Sequence, residues 1–117
     1  MHMPTCRHPG HPVEPRGGRW EGFRFPAGGY AGIHVHLNLQ FCDGLLVGNG
    51  TEILGLARVI GVYGLHSGVV SILLTETNGT TIELEGEFLR CGIKGIWTDE
   101  AGQIGTFTLW PRKPLPD

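Results

Sequence analysis

Charge is scarce in this chain: 17% of its 117 residues are Asp, Glu, Lys or Arg, nine basic against eleven acidic, with a formal net charge of −2. Without a basic excess or a cluster of Lys and Arg, the electrostatic footprint of a nucleic-acid binder is missing. Cysteine is also scarce and odd in number. Cys6, Cys42 and Cys91 fall at irregular spacing, which predicts free thiols in a reducing compartment rather than a disulfide framework. No apolar run approaches the roughly 18 to 20 residues of a membrane-spanning helix. The opening Met1-His2-Met3-Pro4-Thr5-Cys6 lacks the apolar stretch of a signal peptide. The expectation is a soluble cytoplasmic protein with no membrane partner. No window sustains a 3.6-residue apolar period, so helices are not expected either.

Recognisable reaction chemistry is equally thin. No serine occupies a Gly-x-Ser-x-Gly elbow, and neither Gly28-Gly29 nor Gly48-Asn49-Gly50 leads into a helix, as a phosphate-cradling loop must. Glu83, Glu85 and Glu87 are spaced two apart, which on a strand puts them about 7 Å from one another in a solvated row rather than in an acid/base pair. Cys42 and Cys91 stand at strand boundaries with no histidine base beside them in sequence. The expectation is a non-enzyme without a cofactor.

What the chain does have is glycine, 20 residues of it, punctuating short extended runs. Eight such runs are legible, at 20–25, 33–41, 45–49, 56–63, 68–75, 80–89, 92–97 and 105–110. Spacing of this kind is the signature of a β-sandwich or barrel. In the second run Ile33, Val35, Leu37, Leu39 and Phe41 alternate with His34, His36, Asn38 and Gln40, as a half-buried strand requires. Asp43-Gly44 and Asn78-Gly79 read as tight hairpin turns, so the connections are local. Neighbouring antiparallel strands close most simply into an eight-stranded up-and-down barrel, which removes exposed edges. The domain is expected over residues 19–112. A Pro-, Gly- and His-rich mobile tail precedes it at 1–18, and a short Pro-rich tail follows at 113–117.

If Asn78-Gly79 forms a two-residue loop, Thr77 faces Thr80, Thr75 faces Ile82, Leu73 faces Leu84 and Val69 faces Phe88. Those residues would line the interior, provided no bulge at Gly86 shifts the register. The opposite face would then carry Val70, Ile72 and Leu74 outward beside Glu83, Glu85 and Glu87. That stripe predicts a subunit interface and a homo-oligomer, a dimer or tetramer. His34 and His36 share one strand face, a spacing compatible with two ligands to one metal, and His66 in the Gly64–Gly68 turn is the candidate third. Two ligands alone are not a site, and the expectation is no bound metal. Cys6, His8 and His11 also have ligand-like spacing, in a tail expected to be solvated.

Three stretches carry a resemblance. Gly18-Arg19-Trp20 resembles the Gly-x-Trp element that opens the first strand of lipocalin, avidin and related calycin barrels. Phe41-Cys42-Asp43-Gly44 is similar to the early hairpin of avidin-like barrels. The ending, Gly92-Ile93-Lys94-Gly95-Ile96-Trp97 and Gly105-Thr106-Phe107-Thr108-Leu109-Trp110-Pro111, is similar to the closing strands of small uncharacterised bacterial proteins with the same barrel plan. The resemblance implies an avidin/lipocalin-like barrel whose end is plugged by Trp20 beneath a basic residue, here Arg112. It does not imply biotin binding, because Glu21-Gly22-Phe23-Arg24-Phe25-Pro26 stands where hydroxyl and amide side chains are needed.

Two readings of function follow. In the first, a small apolar or amphipathic ligand enters the barrel mouth, where interior Ser71, Thr75, Gly86 and Gly95 leave room and tryptophans line the walls. The second is a filled barrel that serves as a structural or assembly module through its outer face. A catalytic barrel that merely shapes its substrate has no residue to support it.

Overall fold

A computed structural model describes residues 15–29, 31–52 and 55–112. Eight antiparallel strands follow one another in chain order: β1 (Gly18–Pro26), β2 (Ile33–Cys42), β3 (Leu45–Glu52), β4 (Gly55–Tyr63), β5 (Val69–Glu76), β6 (Thr81–Leu89), β7 (Gly92–Asp99) and β8 (Ile104–Pro111). Each pairs with the next, and β8 returns to β1, so the sheet is a closed up-and-down barrel. No described residue is helical. The expected mobility of residues 1–18 falls mostly outside the described residues. Of those described, Arg16 already accepts a 2.9 Å hydrogen bond from Trp20 Nε1, and Gly18 opens β1. At the other end β8 runs one residue further than its sequence suggests, with Pro111 opposite Trp20. A proline is tolerated at a strand terminus because the ladder no longer needs its missing donor.

Inward-facing residues fill the interior. Trp97, Phe107, Leu39, Leu46, Ile93 and Leu109 are among the fully buried side chains, and they belong to one continuous cluster to which all eight strands contribute. Glycines make room for this packing where strands cross closely. A Cβ on Gly22 would lie 1.8 Å from the Thr108 carbonyl oxygen, and one on Gly86 would lie 3.0 Å from the Phe107 ring. Gly86 sits in an unbroken ladder opposite Gly95, so no bulge forms there.

The two hairpin turns behave differently, and the difference overturns one expectation. Between β2 and β3, Asp43 and Gly44 have φ of 52° and 85°, both positive as a type I′ turn demands, and Cys42 pairs with Leu45 across a two-residue loop. Between β5 and β6 only Gly79 takes a positive φ, 91°, while Asn78 does not. The Asn78 side chain instead accepts from the Thr80 amide at 2.9 Å, and the Glu76 amide donates to the Thr80 carbonyl at 2.8 Å. The loop is therefore three residues, Thr77-Asn78-Gly79, with glycine in the left-handed position that such loops use.

One extra loop residue shifts the register by one and turns β5 over. Leu73 pairs with Glu83 rather than Leu84, and Ile72 pairs with Leu84. Val70, Ile72 and Leu74, expected as an outward interface stripe, are core residues with 1%, 2% and 1% of their surface exposed. Ser71 and Thr75, expected inside, lie on the outward face. β6 keeps the faces its alternation predicts, with Ile82 and Leu84 buried and Glu83, Glu85 and Glu87 exposed.

This register makes a direct prediction from two adjacent leucines. Leu74→Ala should destabilise the fold by about 2–5 kcal/mol through cavity formation, whereas Leu73→Ala should cost less than about 1 kcal/mol. Urea denaturation of the two variants checks it, and the reverse order would restore the two-residue loop.

Candidate functional site on the outer barrel surface

The β1–β2 ladder sets Glu21 opposite His36 and Phe23 opposite His34, all on the outward face. Glu21 Oε1 lies 3.5 Å from His34 Nε2 and 4.0 Å from His36 Nδ1. The carboxylate's other oxygen is 3.8 Å from Arg112 Nε. One donor atom from each of Glu21, His34 and His36 thus falls within 4.8 Å of the other two. The imidazoles are half-exposed and meet edge-on at a centroid distance of 4.1 Å. Phe23 stacks on His34 at 4.8 Å with an 18° interplanar angle, and is itself flanked by Phe25 and Trp110. Aromatic contact on one ring face restricts how His34 can turn.

The histidine pair read from sequence is therefore joined by a third group, and that group is Glu21 rather than His66. His66 sits in the turn between β4 and β5 and is not part of the cluster. Glu21 was concealed because its place beside His36 depends on the β1–β2 register, and the connection from Ala27 to Gly32 carries no turn signature that fixes it. The Cys6, His8 and His11 set lies outside the described residues.

A groove of about 410 Å³ opens beside the cluster, lined by the polar Arg19, His36 and Arg112 and by the apolar Trp20, Leu37 and Leu56 among others. Arg112 was expected above Trp20. Trp20 is buried and tilts against Phe41 at 5.6 Å, and Arg112 lines the same groove, its Nε 3.8 Å from Glu21 Oε2 and its backbone amide donating to the Arg19 carbonyl at 2.7 Å. A basic group also lies over a tryptophan toward the opposite rim: Arg24, 6% exposed, is 4.6 Å from the Trp97 ring centroid. Trp97 Nε1 donates to the Phe25 carbonyl at 3.3 Å. Inward-facing Arg24 is invisible in the sequence because a charge on a core face contradicts the pattern used to find that face. Glu76, at the same rim on β5, is also buried.

A second surface is apolar. The ladders set Leu45 against Val62 and Val47 against Ile60, and carry Ile60 on to Leu73. Leu45, Val47, Ile60 and Val62 are 57%, 45%, 56% and 54% exposed, and Val69, near the β5 end of this face, is 56% exposed. The ridge is bordered by the exposed Glu83, Glu85 and Glu87 of β6 on one side and by Gln40 and Cys42 of β2 on the other. An outward aliphatic stripe beside an acidic row therefore exists, built by β3 and β4 with the outward residues of β5.

The thiols differ from expectation too. Cys42 is an exposed thiol outside any disulfide, its Sγ 3.7 Å from Asp43 Oδ2, whereas Cys91 is disulfide-bonded. Cys6 lies outside the described residues.

No protein-family model matches the chain, and no curated protein matches it.

The cysteine states are checked by alkylation of the native protein followed by peptide mapping. Cys42 should react readily with iodoacetamide, and Cys91 only after reduction.

Proposed function

We propose that this chain is a non-catalytic assembly module: a filled β-barrel whose working surface is the aliphatic ridge on β3, β4 and β5, and whose simplest partner is a second copy of itself. The observation that carries this reading is the exposure of Leu45, Val47, Ile60 and Val62 in paired, contiguous positions on a chain with few charges. Large contiguous apolar surface is seldom left in water. A flat aliphatic ridge with a polar border has the anatomy of an interface core and rim, and can meet its own image across a twofold axis. The kinship to avidin-like barrels belongs to this proposal at the level of fold, and fold analogy does not carry activity.

Interior packing favours assembly over a ligand held in the barrel mouth. The room that reading needed was to come from Ser71, Thr75, Gly86 and Gly95. Ser71 and Thr75 face outward, and Phe107 packs against Gly86.

Sedimentation velocity across a concentration series tests the proposal. The protein should self-associate, and Ile60→Lys should weaken association by at least about thirtyfold, the equivalent of a hot-spot loss of about 2 kcal/mol. Its melting temperature in the monomeric state should hardly change, because the side chain is exposed. A wild-type protein that stays monomeric at high concentration, or a variant that assembles as well as wild type, overturns the proposal.

A further inference from the structure

We propose that Glu21, His34 and His36 form a binding site for a borderline divalent d-block cation, represented by Zn2+, on the outer face of β1 and β2. Two imidazole nitrogens and one carboxylate oxygen make up the donor set of many open zinc centres, in which solvent or another ligand takes the remaining position. A tetrahedral cation with bonds of about 2.0–2.1 Å holds its donors roughly 3.4 Å apart. Glu21 Oε1 is 3.5 Å from His34 Nε2 and 4.0 Å from His36 Nδ1, and one donor atom from each of the three residues lies within 4.8 Å of the other two, so the half-exposed side chains have to close by at most about 1.4 Å to reach bonding geometry.

The surroundings favour a metal over a simple ion pair. Arg112 addresses Glu21 through Oε2, leaving Oε1 directed at the histidines, and it would hold the carboxylate in place as outer-shell partners of metal ligands do. Phe23 stacks on His34 and limits its rotation, which reduces the entropy lost when the ring is fixed by a cation. His34 and His36 alternate with the buried Val35 on one strand, so their shared orientation is set by core packing rather than by a flexible loop. Nitrogen donors argue against magnesium or calcium, which take all-oxygen shells. A groove that includes His36, Arg19 and Arg112 along with apolar Leu37 and Leu56 adjoins the cluster, leaving space for the solvent or small anion that would complete the coordination.

Isothermal titration of the full chain with Zn2+ is the test, with circular dichroism to confirm that each variant is folded. One ion should bind per chain with micromolar affinity, and Glu21→Ala or His36→Ala should each weaken binding by roughly tenfold or more. The double variant His8→Ala/His11→Ala should bind as wild type does, since neither histidine belongs to the proposed donor set. Zinc well above its dissociation constant should raise the melting temperature of wild type but not of His36→Ala. With Co2+ as the probe, visible ligand-field bands should appear in wild type and vanish in His34→Ala. Absence of binding at micromolar zinc, full affinity in the Glu21 and His36 variants, or an equal loss in the tail variant overturns the proposal.

Discussion

Closure of the hydrogen-bond ladder between β8 and β1 is the constraint on which the rest of this molecule depends. Once eight strands meet in a ring, every strand has two neighbours and no edge is left to template pairing with another chain. The ring encloses a small volume, and the inward half of each strand has to fill it without leaving voids. Glycine at Gly86 and Gly105 is the counterpart of large residues elsewhere on the wall: Phe107 and Trp97 fit because those positions carry no side chain where the rings lie.

Period-two alternation then dictates what is left for the outside. Since the interior takes one residue in two, the outer face is a readout of the other half of the sequence, and strand by strand that half has different characters. β1 and β2 present Glu21, Phe23, His34 and His36. β3 and β4 present mostly aliphatic residues, and β6 presents glutamates. A barrel of this kind can therefore carry two unrelated surfaces on adjoining parts of one wall, with the core unaffected by either.

The eight strands, their order and the faces of β2 and β6 were legible because each rests on alternation and on local turns. The Asp43-Gly44 reversal was legible for the same reason, since both residues adopt the positive φ that their types permit. Asn78-Gly79 misled because a short-range signal states that a reversal exists without stating its length. Asn78 caps the Thr80 amide through its side chain rather than entering the left-handed region. A single extra loop residue exchanged Val70, Ile72 and Leu74 for Ser71, Leu73 and Thr75, so an apolar outer stripe was anticipated but assigned to the wrong residues. The histidine pair needed no register and was legible. Glu21 and the Arg112 contact needed the β1–β2 and β1–β8 ladders, which no local motif sets, and Arg24 needed a buried charge that pattern reading rejects.

The amide of Arg112 reaches the carbonyl of Arg19 at 2.7 Å, which places the first and last strands' outer ends side by side. The start of β1 and the end of β8 consequently meet the rest of the chain at one and the same rim, the one near Trp20, while the Arg24 and Trp97 rim lies at the far ends of both strands. For engineering, the barrel is a socket with its two leads on one side.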